Sequence, residues 1–189
     1  MHTTTNEIAL GPIVTAFAAD PVIRWVYPAP GDYLAHFADL VLLIGGGAFT
    51  TATADCAEGA AGTALWVAPD NTGDDEAIGA HLSETVDPPR HETVFAFLEQ
   101  IEAHHPDEPV WYLPFIGVDP AHQGRSVGST LLRQGLDRAD ADDLPAYLEA
   151  STPRNRSLYE RHGFAVVGEI RSGDSPPVWP MLRPAGARP

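Results

Sequence analysis

The chain of 189 residues contains no lysine and only one cysteine, Cys56. Without lysine it has no Gly-x-x-x-x-Gly-Lys-Ser/Thr loop, which excludes that type of nucleotide site. A single cysteine cannot form an internal disulfide, so nothing indicates an oxidising compartment. No basic segment with an apolar stretch opens the chain, and no apolar run approaches the ~18 residues of a membrane span. These absences predict a cytoplasmic protein without a membrane segment.

Basic residues are few and unevenly distributed. All eleven are Arg, and only Arg24 and Arg90 precede residue 120, in a part that holds eighteen carboxylates; residues 121–189 hold nine Arg and eight carboxylates. Nucleic acid is disfavoured as a partner, because phosphate backbones are bound by clustered Lys and Arg. The second part, which is nearly neutral, would tolerate a polyanion, and the acidic first part would attract a cation. An acidic surface that is merely solvated is the alternative interpretation.

Apolar spacing predicts an alternating order of helices and strands within one domain, 1–189. The predicted helices cover residues 8–17, 32–44, 92–104, 126–139 and 155–162, with short helical turns near 21–25 and 75–82. The predicted strands cover residues 49–54, 63–68, 110–118, 146–150, 164–170 and 178–182, and the first two form an antiparallel pair. No internal repeat or long linker divides the chain.

The segment Val110 to Leu132 is the most informative one. An apolar strand ending at Val118 leads into a turn of small residues, which opens a helix. Such a turn leaves backbone N–H groups unpaired at the positive end of the helix, where a phosphate binds without lysine. The dinucleotide fingerprint Gly-x-Gly-x-x-Gly does not fit. The pattern Gln-x-x-Gly-x-Gly/Ala fits over Gln123–Gly128, with Ser126 at a position that usually holds Gly.

Through that pattern the chain resembles the Gcn5-related N-acetyltransferase superfamily. A second block, with Asn155, Tyr159, Gly163 and Phe164 in register, extends the likeness. Trp111-Tyr112-Leu113, Pro153-Arg154-Asn155 and Trp179-Pro180-Met181 are similar to the branch of puromycin N-acetyltransferase. The resemblance implies the α/β (α+β) acyl-CoA N-acyltransferase fold, with a mixed, mostly antiparallel central sheet and helices on both faces. It also implies a first strand before Ile8, for which the sequence has no good candidate.

The resemblance implies direct transfer of an acetyl group from acetyl-CoA to an amine, within a ternary complex and without a metal. The acidic first part of the chain adds the prediction that the acceptor is a primary amine of a small cationic molecule. The protein would act as a monomer or homodimer. Backbone N–H groups at the turn would bind the phosphates, and the strand edge at 115–118 would pair with the pantetheine arm. The predicted cofactor-binding residues are Ile116, Val118, Gln123, Gly124, Arg125, Ser126, Val127, Gly128, Ser129 and Asn155.

Two residues are predicted to be catalytic. Tyr159, matched to the family's tyrosine, would donate a proton to the leaving thiolate, since a phenol with a pKa near ~10 is protonated at neutral pH. Glu149 would be the general base; alternatively it is a strand carboxylate that faces solvent or Arg154. Asn155 would contact pantetheine, cap its helix, or both. His122 is interpreted as a cofactor contact, and the adjacent pair His104 and His105 is not predicted to bind metal.

Two other functions stay open. A protein N-terminus or lysine as acceptor would need an open groove between residues 69–89 and the last strands. A non-catalytic acyl-CoA sensor is favoured by Ser126 and by the missing first strand. Trp66, Trp111 and Tyr112 would either line an aromatic acceptor pocket or pack in the core.

Overall fold

The computed structural model describes residues 2–71 and 73–187, with side chains from Ala9 onward, and it contains one six-stranded mixed sheet. The strands are β1 (Ala54–Cys56), β2 (Gly62–Val67), β3 (Trp111–Val118), β4 (Ala146–Ala150), β5 (Ala165–Val166) and β6 (Trp179–Arg183). Their order is β1-β2-β3-β4-β6-β5. Only β3 and β4 run parallel, and all other neighbours are antiparallel. The predicted fold class, including a mostly antiparallel sheet, is confirmed.

Helices cover both faces of this sheet. They are α1 (His2–Phe17), α2 (Pro21–Val26), α3 (Pro30–Gly45), α4 (Gly47–Thr50), α5 (Asp75–Thr85), α6 (His91–His104), α7 (Val127–Ala141) and α8 (Pro153–Glu160). Within the described residues, no helix is long and apolar enough to cross a membrane. The predicted antiparallel pair is β1 and β2, and the predicted strand 146–150 coincides with β4.

Each face of the sheet buries its own core. On one face, residues of α1, α3, α5 and α6 pack around Phe37, Leu65 and Phe115. On the other, α7 and α8 pack against Trp66, Trp111 and Leu148. The α7 stripe follows the helical period, with Leu131, Leu132, Gly135, Leu136 and Ala139 buried. Trp66 and Trp111 are therefore core residues, in keeping with one of the two predicted roles.

Two predicted strands are wrong in part. Residues 49–54 were expected to be extended, but residues 47–50 form helix α4, and the hydroxyls of Thr50 and Thr51 donate to the carbonyl of Gly47. These local hydrogen bonds compete with a strand, so β1 begins only at Ala54. In 164–170 only Ala165–Val166 pairs as a strand, and Ile170 makes a single bridge to Val178.

The N-terminal segment is a helix, and no strand precedes it in the described part of the chain. The first strand expected from the resemblance is thus absent from residues 2–17, which form α1. This helix lies directly on β3, where a Cβ on Gly117 would come within 2.7 Å of the Cα of Ile13. Gly117 therefore allows close approach between the helix backbone and the strand.

Strand β3 contains a bulge at its centre. Leu65 of β2 pairs with Phe115 of β3, and Val67 pairs with Tyr112. Between these two pairs β2 has one residue and β3 has two, one of which is Pro114. A proline lacks the N–H that a regular ladder needs, and bulges accommodate it. After the bulge, the odd-numbered residues of β3 point to the opposite face of the sheet: Trp111 packs in one core and Phe115 in the other. Parallel pairing with β4 is limited to Trp111 and Tyr112, so the two strands form a fork from that point onward.

Candidate active site

A cleft of about 500 Å³ opens where β3 and β4 separate. Its walls come from the α1–α2 junction, the end of β3, the turn before α7, the first turn of α7 and the length of α8. Nine of the ten predicted cofactor residues line it: Ile116, Val118, Gln123, Gly124, Ser126, Val127, Gly128, Ser129 and Asn155. Arg125 is exposed and does not line the cleft. His122 and Tyr159 also contribute to the wall.

The turn before α7 presents a series of free backbone donors. In the described structure, no N–H from Gly124 to Ser129 donates to a backbone or side-chain acceptor. The Nε2 of Gln123 donates to the carbonyl of Val118 at 3.1 Å, which ties the turn to the end of β3. Free N–H groups at the positive end of a 15-residue helix form an anion site suited to phosphate.

The edge of β3 beside this turn is also free. Residues 113–118 have no ladder partner on β4, while β2 pairs with their other side up to Val118. An extended ligand with amide groups can complete such an edge in the manner of an added strand. Ile116 and Val118 place this edge on the cleft wall.

Tyr159 is buried, with 5% of its surface exposed, and its ring packs against Phe164. The hydroxyl makes no hydrogen bond to any described residue. Burial, and next the charge of Asp20, raise the pKa of Tyr159 well above its ordinary value. The phenol therefore keeps its proton at physiological pH and is suited to donate it.

Glu149 lies on β4 and does not face Arg154. Its Oε2 accepts a hydrogen bond from the hydroxyl of Tyr112 at 2.9 Å, while its buried Oε1 has no partner among the described residues. Burial, only partly offset by the hydrogen bond from Tyr112, raises the pKa of Glu149 to about 7. A carboxylate with that pKa and an unused oxygen has the properties of a general base.

Asp20 is a carboxylate at the cleft that the sequence reasoning missed. It is the N-cap of α2, with Oδ1 accepting from the N–H groups of Val22 and Ile23 and Oδ2 from the hydroxyl of Ser151. Burial raises its pKa. Because both oxygens are already used, Asp20 is less suited than Glu149 to accept a proton. The dipeptide Asp20-Pro21 predicts the helix start, and α2 does begin at Pro21, but no local pattern places the carboxylate at the cleft.

The start of α8 contradicts one of the two roles predicted for Asn155, that of helix cap. Thr152 is the N-cap, its hydroxyl accepts from the N–H of Asn155 at 3.1 Å, and Pro153 occupies the first helical position. Asn155 therefore does not cap the helix, and its location on the cleft wall fits the other role. Arg154 and Arg161 also line the cleft. Neither of them is predicted from the sequence to bind the cofactor, although a polyanion would be attracted to these two cations.

The six-stranded mixed sheet with helices on both faces is the acyl-CoA N-acyltransferase fold. The chain belongs to the acetyltransferase (GNAT) family, whose family model matches residues 48–164, more than half of the chain. A solved acetyltransferase of Corynebacterium glutamicum, described as histone acetyltransferase HPA2 and related acetyltransferase, superposes with a TM-score of 0.65 at 28% identity, covering 98% of this chain and 93% of that one.

Two curated relatives match shorter segments. An uncharacterised N-acetyltransferase of Schizosaccharomyces pombe is 34% identical over 80 residues, which are 41% of this chain and 32% of that protein. The N-alpha-acetyltransferase RimI of Mycobacterium tuberculosis is 47% identical over 55 residues, 28% of this chain and 34% of that protein. The chain thus spans about a third of the length of these relatives. The narrower likeness to puromycin N-acetyltransferase stays a prediction.

Ser126 adopts a left-handed conformation, with φ of 64°, and its hydroxyl does not cap α7. A Cβ in this region costs about 1 kcal/mol. Without ligand the turn can relax from this conformation, whereas a bound phosphate would hold it there, so Ser126 adds strain to the bound state. We therefore expect Ser126→Gly to tighten acetyl-CoA binding about two- to fivefold, measured by calorimetric titration. Unchanged or weaker affinity would refute the steric argument.

Gly124 offers the opposite test for the same turn. It has φ of +75°, and a Cβ there would meet no atom within 4 Å. Gly124→Ala therefore adds backbone strain without a clash, and weaker acetyl-CoA binding is expected.

Proposed function

We propose that the protein transfers an acetyl group from acetyl-CoA directly to a primary amine of a small cationic molecule, within a ternary complex. One observation carries this proposal: the free N–H groups of Gly124–Ser129, the unpaired edge of β3 and the buried Tyr159 share one cleft. The turn would hold the phosphates, with Arg154 and Arg161 beside it. The edge of β3 would hold the extended arm, and one of its N–H groups would polarise the thioester carbonyl.

Two residues would handle the protons. Glu149 would take a proton from the ammonium group of the acceptor, because only the neutral amine is a nucleophile. Tyr159 would give its proton to the sulfur as the carbon–sulfur bond breaks, since a thiolate is the group that leaves. The raised pKa values of both side chains match these directions: a base that is half-ionised near pH 7 and an acid that keeps its proton.

The shape of the molecule favours a small acceptor over a protein. A protein substrate would need an open groove between residues 69–89 and the last strands. Helix α6 occupies that region, where Phe97 packs against Ile170 and Val178, and Trp25 packs on Phe97 from α2. A cationic acceptor also agrees with the excess of carboxylates in the part of the chain before residue 120.

The experiment combines calorimetric titration with acetyl-CoA and an assay of thiol release with a panel of primary amines. We expect one-site binding, and turnover whose acetylated product is identified by mass spectrometry. Binding without turnover for any amine would support an acyl-CoA sensor instead. No binding of acetyl-CoA would overturn the proposal altogether.

A further inference from the structure

A second cavity, of about 680 Å³, lies outside the cleft described above. We call it the distal cavity. Its walls come from the end of α3, the end of β2, helices α5 and α6, and the start of β3. Its volume is in the range of small-molecule sites. No described residue of the turn before α7, of α7 or of α8 lines the distal cavity.

The lining of the distal cavity combines apolar walls with negative charge. Its larger apolar residues are Ile44, Val67, Ile78, Phe95, Leu98, Ile101 and Val110, and its carboxylates are Asp75, Glu99, Glu102, Asp107 and Glu108. None of these carboxylates forms an ion pair with a described residue, and no Arg is among the described residues of the lining. Such a surface attracts a cation with an apolar body and repels phosphates.

Tyr112 connects the distal cavity to the candidate base. Tyr112 lines the cavity, and its hydroxyl donates to Glu149 at 2.9 Å. Tyr112 pairs with Tyr147, so Glu149 lies on β4 two positions beyond the last pair, where β3 and β4 separate. The distal cavity reaches Tyr112 of β3, and the cleft reaches Ile116 of the same strand. Both cavities therefore reach β3 on either side of the point where the fork begins.

We propose that the distal cavity binds the acceptor, and that the acceptor is a primary amine on an apolar body, with its ammonium group toward Tyr112 and Glu149. This rests on the acetyl transfer proposed above. The ammonium gives one proton to Glu149, and the amine nitrogen bonds to the carbonyl carbon of the thioester. As the carbon–sulfur bond breaks, the sulfur takes the proton of Tyr159. The second proton lost by nitrogen restores the phenol, and Glu149 releases its proton to solvent.

The test compares Gly79→Leu with Gly11→Leu. Both glycines are inside helices, and a Cβ at either would meet no atom within 4 Å. Gly79 lines the distal cavity, whereas Gly11 is exposed on α1 and lines neither cavity. The leucine at position 79 adds bulk at the cavity wall, and the leucine at position 11 controls for the change in helix propensity and hydrophobicity.

The probe is 4-phenylbutylamine, with butylamine as the amine that lacks the large apolar body and 4-phenylbutanol as the probe that lacks the charge. We expect kcat/KM for 4-phenylbutylamine to exceed that for butylamine about tenfold or more, as burial of a phenyl group implies. Gly79→Leu should remove this preference without changing acetyl-CoA affinity, and Gly11→Leu should keep it. The alcohol should compete weakly.

Equal rates for both amines, or a preference that Gly79→Leu leaves intact, would overturn the role of the distal cavity while acetyl transfer stands. If no amine is acetylated, the proposed function fails, and calorimetric titration with 4-phenylbutylamine still tests the cavity. Binding that Gly79→Leu removes then supports a cation site there, and absence of binding excludes it.

Discussion

Replacement of Glu149 by Gln is expected to lower kcat/KM by about 10²- to 10⁴-fold, the usual contribution of a general base. Gln keeps the volume and an oxygen that accepts from Tyr112, so the local packing is retained while the ability to take a proton is lost. Affinity for acetyl-CoA should be unchanged, because Glu149 does not line the cleft proposed to bind it. Steady-state kinetics together with calorimetric titration measure both effects.

The pH dependence of the wild-type enzyme follows from the same carboxylate. Its pKa is raised to about 7, and a base acts only in its ionised form, so kcat/KM should fall as the pH drops below about 7. The Gln variant should lose this acidic limb. A variant that keeps both its rate and the limb would exclude Glu149 as the base. Asp20→Asn would then be the next substitution, with the thermal stability of α2 monitored because Asp20 caps it.

The contribution of Glu149 to protein stability should depend on pH in the direction opposite to its contribution to catalysis. Because the pKa of Glu149 is raised from 4.5 on folding, the folded protein binds more protons than the unfolded chain between about pH 4.5 and 7. The stability that Glu149 contributes is therefore complete below about pH 4.5 and is lost as the pH rises through 7. At pH 8, Glu149→Gln should melt at a temperature no lower than the wild type. A marked fall in melting temperature would indicate that the carboxylate is structural.

Replacement of Tyr159 by Phe is expected to lower kcat about 10²- to 10³-fold with little change in acetyl-CoA affinity. The ring remains against Phe164, and the lost hydroxyl makes no hydrogen bond to a described residue, so the melting temperature should stay close to that of the wild type. The expected defect arises because the sulfur loses its proton donor.

A matched control for this substitution is Tyr33→Phe, at a phenol that lies outside both cavities and donates to the carbonyl of Val14. Tyr33→Phe should affect stability rather than turnover. If Tyr159→Phe turns over at the wild-type rate, the proton donor is another group or water, and the assignment by resemblance is wrong.

The parts of the fold that the sequence predicts well are governed by local patterns. Strand β4 is a short apolar run between polar residues, and α6 repeats its apolar residues at helical spacing, so both are found where expected. Residues 49–54 were mispredicted because their hydroxyl-rich pattern resembles a strand, whereas Thr50 and Thr51 bond back to Gly47. Whether this segment forms a strand or a helix depends on these hydrogen bonds, which the strand propensities of its residues do not describe.

The turn before α7 is predictable because all its free N–H groups, from Gly124 to Ser129, are contiguous in the chain. The surroundings of Glu149 are not, since Tyr112 lies 37 positions away in sequence and meets it only through the parallel register of β3 and β4. The distal cavity is harder still to foresee. Its walls come from α5 and α6, a segment with no motif, and its apolar residues look like ordinary core positions until the space between them is seen.

The bulge in β3 has a kinetic consequence. The bulge belongs to β3 itself, and the fork between β3 and β4 begins beside it, so the two strands are already apart in the fold. Entry of a long polyanion then requires no prior separation of strands. We expect its association rate to be set by diffusion and by attraction to Arg154 and Arg161, and to fall as salt screens those charges.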